Sequence, residues 1–332
     1  MRLIVEILQP FQGRVFDPAC GSGGMFVQCA KFVERHHEKA SRKLSLFSTE
    51  KTEDTIPLAK MNLALHGLSG DIRQANSCYE DPHEAVGAFD FVMANPPFNV
   101  DKIKKEQLAG NKRFPLGLHK AYNGNFIWIQ QFYAALSAKG RAGSVMANSA
   151  CDTGHSEKDI RLRLIESGTV DVMVAVGPNF FYAVTLPVTL WFLDKTKLGT
   201  AREDTVLFIH ARHIFHQIDR AHRDFTAEQI EFISNIVRLY RGDDVQTVDG
   251  SNELLEQNFP GGLCRITTRV EIREQGWSLN PGRYIGTAAV DEEDVDFLSD
   301  LQRLYEDFTQ LSDDADALRA KVDAAINGVL GS

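Results

Sequence analysis

Two short stretches of this chain carry residue types that could do chemistry. The first is Phe16-Asp17-Pro18-Ala19-Cys20-Gly21-Ser22-Gly23-Gly24, which reads as a strand running into a glycine loop and then a helix. Gly21 and Gly23 allow a tight turn and a close approach of backbone to a ligand. The first turn of the following helix offers unsatisfied N–H groups and the positive end of its dipole, which receive a carboxylate as readily as a phosphate. The full G-x-G-x-x-G signature of a dinucleotide loop is absent. Glu50, at the end of the next strand, is placed to accept hydrogen bonds from ribose hydroxyls. The second stretch, Asn95-Pro96-Pro97-Phe98, ends a strand in a stiff clip. The Asn95 carboxamide and the Pro96 carbonyl are acceptors held in place by two prolines, and Phe98 offers a flat face. Turn glycines without a ligand are common, and so are proline-rich strand exits. Together, in this order, the two stretches describe a site for a nucleotide-like ligand beside an exocyclic amino group.

Such residues need a frame. From Arg14 to about Leu193 short apolar strands alternate with longer amphipathic stretches. Strands are predicted over Arg14–Asp17, Leu44–Thr49, Ile72–Ala75, Phe89–Ala94, Gly143–Ala147, Val170–Val176 and Val188–Leu193. Helices are predicted over Met25–Glu38, Thr52–His66, Phe126–Leu136 and Ile160–Glu166. The alternation implies an α/β fold with a mostly parallel sheet covered by helices on both faces, its central strands nearly continuous in apolar residues. Ligands of such sheets bind beyond the carboxyl ends of the strands. Asp17 and Asn95 both fall at such ends.

Two segments stand apart. Asp101–Asn125 is polar, Lys-rich and long for a loop in a compact domain, as lids and binding loops are; a surface insertion is the plainer alternative. From Asp291 onward Leu298, Leu301, Tyr305, Phe308, Ala315, Leu318, Val322, Ala325 and Val329 recur mostly at helical spacings. This tail suits a partner helix, or packing on its own domain. The division expected is a catalytic domain over 1–250 and a C-terminal extension with a helical tail for subunit contact over 251–332.

With 332 residues, 43% hydrophobic and 24% charged, the chain has the composition of a soluble globular protein. Its net charge of −9 lacks the basic excess of a protein that grips nucleic acid unaided. Either nucleic acid is not its partner, or another subunit supplies most phosphate contacts. Cys20, Cys29, Cys78, Cys151 and Cys264 show no zinc spacing and read as reduced cytosolic thiols. His36-His37 reads as solvated surface, since adjacent helical positions diverge. No apolar run is long enough to span a bilayer. A cytoplasmic protein with no resident metal and no membrane association is expected.

Asp17–Gly24 resembles motif I of S-adenosylmethionine-dependent methyltransferases in its amino-methyltransferase form. The resemblance implies a Rossmann-like fold with a mostly parallel seven-stranded sheet, and S-adenosylmethionine as the methyl donor. It assigns Asp17, Pro18, Ala19, Cys20, Gly21, Ser22 and Gly23 to the donor's methionine end and Glu50 to its ribose. Asn76 stands where the family commonly has an acid near the adenine. Asn95-Pro96-Pro97-Phe98 matches the Asn/Asp/Ser-Pro-Pro-aromatic motif of enzymes that methylate exocyclic or amide nitrogen, so Asn95, Pro96, Pro97 and Phe98 are the catalytic candidates; Asn95 is assigned to the donor site as well. The match rationalises the residue types. Adenine N6 is a poor nucleophile because its lone pair is delocalised into the ring. Two acceptors on its N–H groups would draw that pair out of conjugation, and Phe98 could stack on a flipped base. A cysteine-nucleophile mechanism is disfavoured, since no Pro-Cys ends the fourth strand.

Further segments are similar to the modification subunits of type I restriction–modification systems: Lys60-Met61-Asn62-Leu63-Ala64-Leu65-His66-Gly67, Asn125-Phe126-Ile127-Trp128-Ile129-Gln130, Gly140-Arg141-Ala142-Gly143, Phe180-Phe181-Tyr182 with Leu186-Pro187-Val188, and Leu279-Asn280-Pro281-Gly282-Arg283-Tyr284. They imply N6-adenine methylation of DNA in a complex with a specificity subunit that reads the target, a second modification subunit and a restriction subunit. Members of that family carry a helical domain ahead of motif I; Met1–Glu6 corresponds to its last helix. The alternatives are a catalytically weak or inactive scaffold subunit of the same kind, and an N-methyltransferase of protein glutamine or of RNA. A nicotinamide dehydrogenase would leave the Asn-Pro-Pro-Phe clip without a role.

Overall fold

The computed structural model describes residues 1–100, 103–118, 124–181, 185–219, 222–251 and 262–285, together with positions 305, 309, 312, 318 and 319. The chain divides into two compact units, Met1–Ala288 and Ala289–Ser332. In the first, α1 (Arg2–Leu8) leads to β1 (Gly13–Asp17), α2 (Gly24–Arg35), a short α3 (Ala40–Lys43), β2 (Leu44–Glu50), α4 (Thr55–Leu65), β3 (Gly70–Gln74) and β4 (Phe89–Ala94). Then come α5 (Asn125–Ala135), β5 (Leu136–Ala147), α6 (His155–Glu166), β6 (Val170–Val176), β7 (Val188–Asp194) and β8 (Thr205–His210). A small hairpin, β9 (His216–Gln217) and β10 (Arg223–Asp224), precedes α7 (Ala227–Arg241), β11 (Cys264–Thr268) and α8 (Arg269–Glu274).

All the strands outside the hairpin form one sheet in the order β11-β8-β6-β7-β5-β4-β1-β2-β3. The seven predicted strands occupy consecutive places in it, and β7 runs antiparallel to both β5 and β6. The sheet has nine strands among the described residues rather than seven. β8 adds in parallel to β6, and β11 closes the edge antiparallel to β8. The short run at β8 is apolar, but β11 (Cys-Arg-Ile-Thr-Thr) acquires its identity only by pairing. That pairing also moves the expected boundary: residues 262–285 belong with the first unit, which extends well beyond residue 250.

Alternation along the strands sends neighbours to opposite faces. Val172 and Val174 join one buried cluster with Leu3, Ile7, Phe26 and Ile233, whereas Met173 joins the other with Phe126, Phe132, Ile160 and Ile272. Helices therefore cover both faces. α7 begins with a reciprocal Thr226–Gln229 capping box and ends at Gly242 in the left-handed region. Its Arg241 pairs at 2.8 Å with the fully buried Asp171 of β6, which Arg202 also reaches at 3.0 Å. β5 starts at Leu136, directly after α5, and is longer than predicted.

In the long polar segment after β4, the described residues 103–118 form a folded loop. Ile103, Leu108, Phe114 and Leu116 are buried in the second cluster, and Gln130 of α5 holds the loop by accepting from Leu116 N and donating to Gly117 O. In the second unit, positions 305, 309, 312, 318 and 319 are helical. The rest of the predicted tail stripe lies outside the described residues.

Candidate active site

Parallel pairing of β1 with β4 aligns Phe16 with Val92. The two strands thus end side by side, about 4.8 Å apart, with Asp17 closing one and Asn95 following the other. Beyond these ends lies a cavity of about 540 Å³. Its walls include Pro18, Ala19 and Gly21 from the glycine loop, Glu50 from β2, Asn76 after β3 and Pro97 of the clip. Six of the residues expected at the site therefore meet around one space.

The glycine loop is stitched from within. Asp17 Oδ1 accepts from Ala19 N at 2.9 Å, and Gly23 N donates to Cys20 O at 2.9 Å. Gly21 and Gly23 have φ of +52° and +76°, a region open to glycine at little cost. Glu50 holds the loop from the neighbouring strand, accepting from Gly21 N at 3.0 Å and from Thr52 N at 2.9 Å. Asn62 of α4 donates to Ser22 O at 2.8 Å. Below the loop, Pro18 O accepts from Thr49 Oγ1 at 3.0 Å and from Ser77 Oγ at 2.5 Å.

Asp17 and Cys20 lie under the loop rather than in the cavity wall, and both are buried. Burial pushes the Asp17 carboxyl up to about 7; the Ala19 N–H opposes this and nearby Glu50 adds to it. Burial, with Asp17 beside it, pushes the Cys20 thiol up to about 12, so it stays protonated and is no nucleophile. Ser22 and Gly23 shape the turn into α2 without lining the cavity.

At the clip, Pro96 is buried, Phe98 is half-buried, and Asn95 and Pro97 are exposed. The Asn95 carboxamide makes no hydrogen bond to another described residue. Asn99, which follows the clip with φ of +52°, exchanges two 3.0 Å hydrogen bonds with the buried Asn125 at the start of α5. Pro97 alone of the four clip residues lines the cavity; Asn95, Pro96 and Phe98 lie outside its wall.

The remaining wall was not foreseen. Lys51, Thr52 and Tyr79 come from the turns after β2 and β3, Val100 and Ile103 from the long loop, and Trp128 from α5. Trp128 carries a buried indole N–H without a partner among the described residues. Asn76 Oδ1 accepts from Cys78 N at 3.2 Å, which leaves its amide nitrogen available to a ligand. Two of these had a sequence signal: Ile103 lies in the long polar loop expected to act as a lid or binding loop, and Trp128 in the segment Asn125–Gln130. Among the described residues no group of three or more His, Cys, Asp and Glu side chains could hold a metal ion, and all five cysteines are free thiols. No helix among the described residues is long and apolar enough to cross a membrane.

A sheet with the β3-β2-β1-β4-β5-β7-β6 core, a glycine loop after β1 and an Asn-Pro-Pro-Phe clip after β4 defines the class: a Rossmann-like methyltransferase fold. The family model for N-6 DNA Methylase matches residues 1–293, and the chain belongs to that family. It is 36% identical over 329 residues to the type I restriction enzyme MjaIX methylase subunit of Methanocaldococcus jannaschii, covering 97% of this chain and 56% of that protein. It is 35% identical over 331 residues to the HindI methylase subunit of Haemophilus influenzae, covering 99% of this chain and 70% of that protein. The fold matches the crystal structure of a type I restriction–modification methyltransferase subunit from Streptococcus thermophilus with a TM-score of 0.71 at 23% identity, over 86% of this chain and 57% of that one. The chain thus spans little more than half the length of some of the relatives it matches.

Proposed function

We propose that this chain transfers a methyl group from S-adenosylmethionine to N6 of adenine in DNA, as the modification subunit of a type I restriction–modification complex. One juxtaposition carries this function: an Asn-Pro-Pro-Phe clip, its carboxamide free among the described residues and its Pro97 on the cavity wall, and a stitched glycine loop stand at the adjacent ends of β4 and β1.

The residues present fit the donor. Glu50 presents carboxylate lone pairs to ribose hydroxyls, Asn76 a free amide nitrogen to the adenine edge, and Trp128 an unpartnered indole N–H. Pro18, Ala19 and Gly21 offer backbone to the methionine end. When bound, S-adenosylmethionine supplies a methyl carried on a sulfonium, which direct displacement can transfer. Asn95 Oδ1 and Pro96 O accept the two N–H bonds of the target amino group and turn its lone pair toward that methyl. Phe98 stacks on the base once it leaves the duplex. The two prolines keep the acceptors in place before the base arrives, so the work is positioning.

The acidic total, −9, fits a division of labour in which a specificity subunit reads the DNA target and a second modification subunit completes the methylating unit. A restriction subunit would join the same assembly, with the tail beyond residue 288 as the contact element. The test is transfer of tritiated methyl to DNA by the full chain, with and without a specificity subunit, followed by nucleoside analysis. Label in N6-methyladenine is expected, and more of it with the partner. Label confined to protein or RNA, or no label under either condition, overturns this function.

A further inference from the structure

Among the described residues of the loop between the clip and α5, Arg113 is a deeply buried cation, 5% exposed. Its Nη1 donates to Ser77 O at 2.7 Å and to Glu80 O at 2.8 Å, the backbone of the turn that follows β3. Asn111 Oδ1 accepts from its Nε at 3.3 Å, and Nη2 is buried without a partner among the described residues. It has no ion pair with a carboxylate among the described residues, although burial weakens its hold on the proton.

This is a poor arrangement for stability alone. An unpaired buried cation carries a desolvation cost that an apolar side chain of similar length would not. The arrangement does fix the turn that carries Asn76, Ser77, Cys78 and Tyr79 into the cavity. The same turn is held a second time, where Lys104 N donates to Tyr79 Oη at 2.9 Å. The contact then runs onward. Ser77 Oγ donates to Pro18 O at 2.5 Å and lies 2.6 Å from Thr49 Oγ1, so the turn held by Arg113 also holds the glycine loop. At its other end the loop is closed by the Asn99–Asn125 pair and by Gly124 N donating to Val100 O at 2.9 Å. A Cβ at Gly124 would stand 2.8 Å from Ile103 Cδ1 and 3.2 Å from Val100 O, so a larger residue there would require the Ile103 side chain to shift. One loop therefore ties the clip to the far wall of the cavity.

We propose that Arg113 is a positioning residue for the methyl donor: without touching it, Arg113 sets the geometry of the wall that receives the donor's adenosine half. This rests on the cavity being the donor site. Affinity and stability should then separate. Arg113→Met fills the same space without the charge; relief of the buried cation offsets the loss of the donor to Ser77 O and Glu80 O, so its thermal midpoint should stay close to that of the wild type. Its Kd for S-adenosylhomocysteine should rise about tenfold. 5′-Methylthioadenosine, which lacks the amino-acid tail, should lose affinity by the same factor. Arg113→Lys keeps the charge but reaches the two carbonyls with a single flexible donor, and should lose about threefold.

Calorimetric titration of the full chain with both ligands decides the matter. A folded Arg113→Met protein with wild-type affinity overturns the inference. So does a loss seen with S-adenosylhomocysteine and absent with methylthioadenosine, since the defect would then lie at the methionine end. If Arg113→Met does not fold, Arg113→Lys decides by the same two criteria. A wild-type protein that binds neither ligand overturns the donor site itself, and this inference with it.

Discussion

The two halves of the site are built in opposite ways. The glycine loop is closed on itself: Glu50, Thr49, Ser77 and Asn62 each hold a backbone group of it, and Asp17 is sealed beneath. The clip is open. Its Asn95 is exposed and unengaged among the described residues, and its shape comes from two prolines and from the Asn99–Asn125 pair behind it. Preorganisation by a hydrogen-bond network suits a ligand that must be held in one pose. Preorganisation by covalent stiffness suits a group that must meet an incoming base with its acceptors bare, since any intramolecular partner would first have to be displaced. Removing a key group from each half should therefore damage different steps.

The largest effect is expected at the open half. On the proposed function, Asn95→Ala removes an acceptor that serves in the transfer step, and the rate should drop by about 10²- to 10³-fold, as for loss of one preorganised polar group in a transition state. The Kd for S-adenosylhomocysteine should stay within about twofold, because nothing in the stitched loop depends on the Asn95 side chain. Single-turnover transfer and equilibrium titration measure the two separately. An affinity loss as large as the rate loss would erase the contrast between the halves.

The contrast also explains what the sequence could tell. The turn at Gly21 and Gly23 and the strand exits at Asp17 and at Pro96-Pro97 were legible because what fixes them is local: a turn that needs glycine, and a strand end stiffened by proline. Glu50 was legible because the alternating pattern placed it at a strand end. Arg113, Tyr79 and Ile103 were not, since their roles are fixed by contacts across the fold. The loop that carries Arg113 reads as polar, and its buried Ile103, Leu108, Phe114 and Leu116 follow neither helical nor strand periodicity, so pattern alone gives no core signal. β11 was missed for the same reason: its five residues make a strand only where β8 offers an edge.

A second effect is expected beneath the closed half. The Asp17 carboxyl, raised from 3.8 to about 7 by burial, binds its proton more tightly in the folded chain than in the unfolded one. Its contribution to stability is present at low pH and is lost as pH rises between those two values. The slope is about 1.4 kcal/mol per pH unit, which gives roughly 2 to 3 kcal/mol between pH 5 and pH 8. Asp17→Asn cannot titrate, so relative to wild type it should gain about that much over the same interval. Urea unfolding of both proteins at the two pH values measures it. A stability difference that does not change with pH would mean that Asp17 is ionised throughout, and that the closed half contains a solvated charge.

The smallest effect tests whether the halves are independent. Glu50 accepts one backbone N–H on each oxygen. Glu50→Gln keeps the shape, removes the charge and leaves one of those N–H groups facing an amide NH₂. A charge-assisted hydrogen bond lost from a partly exposed site is worth about 1.4 kcal/mol, so the Kd for S-adenosylhomocysteine should rise about tenfold. Transfer at saturating donor should fall much less than in Asn95→Ala. In the double variant the transfer efficiencies of the single variants should multiply to within about threefold, as for residues without a shared partner. A larger departure would show that the closed loop and the open clip communicate. The chain of contacts from Pro18 through Ser77 to Arg113 is then the route to dissect, by repeating the cycle in Arg113→Met: coupling that passes through the loop should vanish there, and coupling that persists must cross the paired ends of β1 and β4 directly.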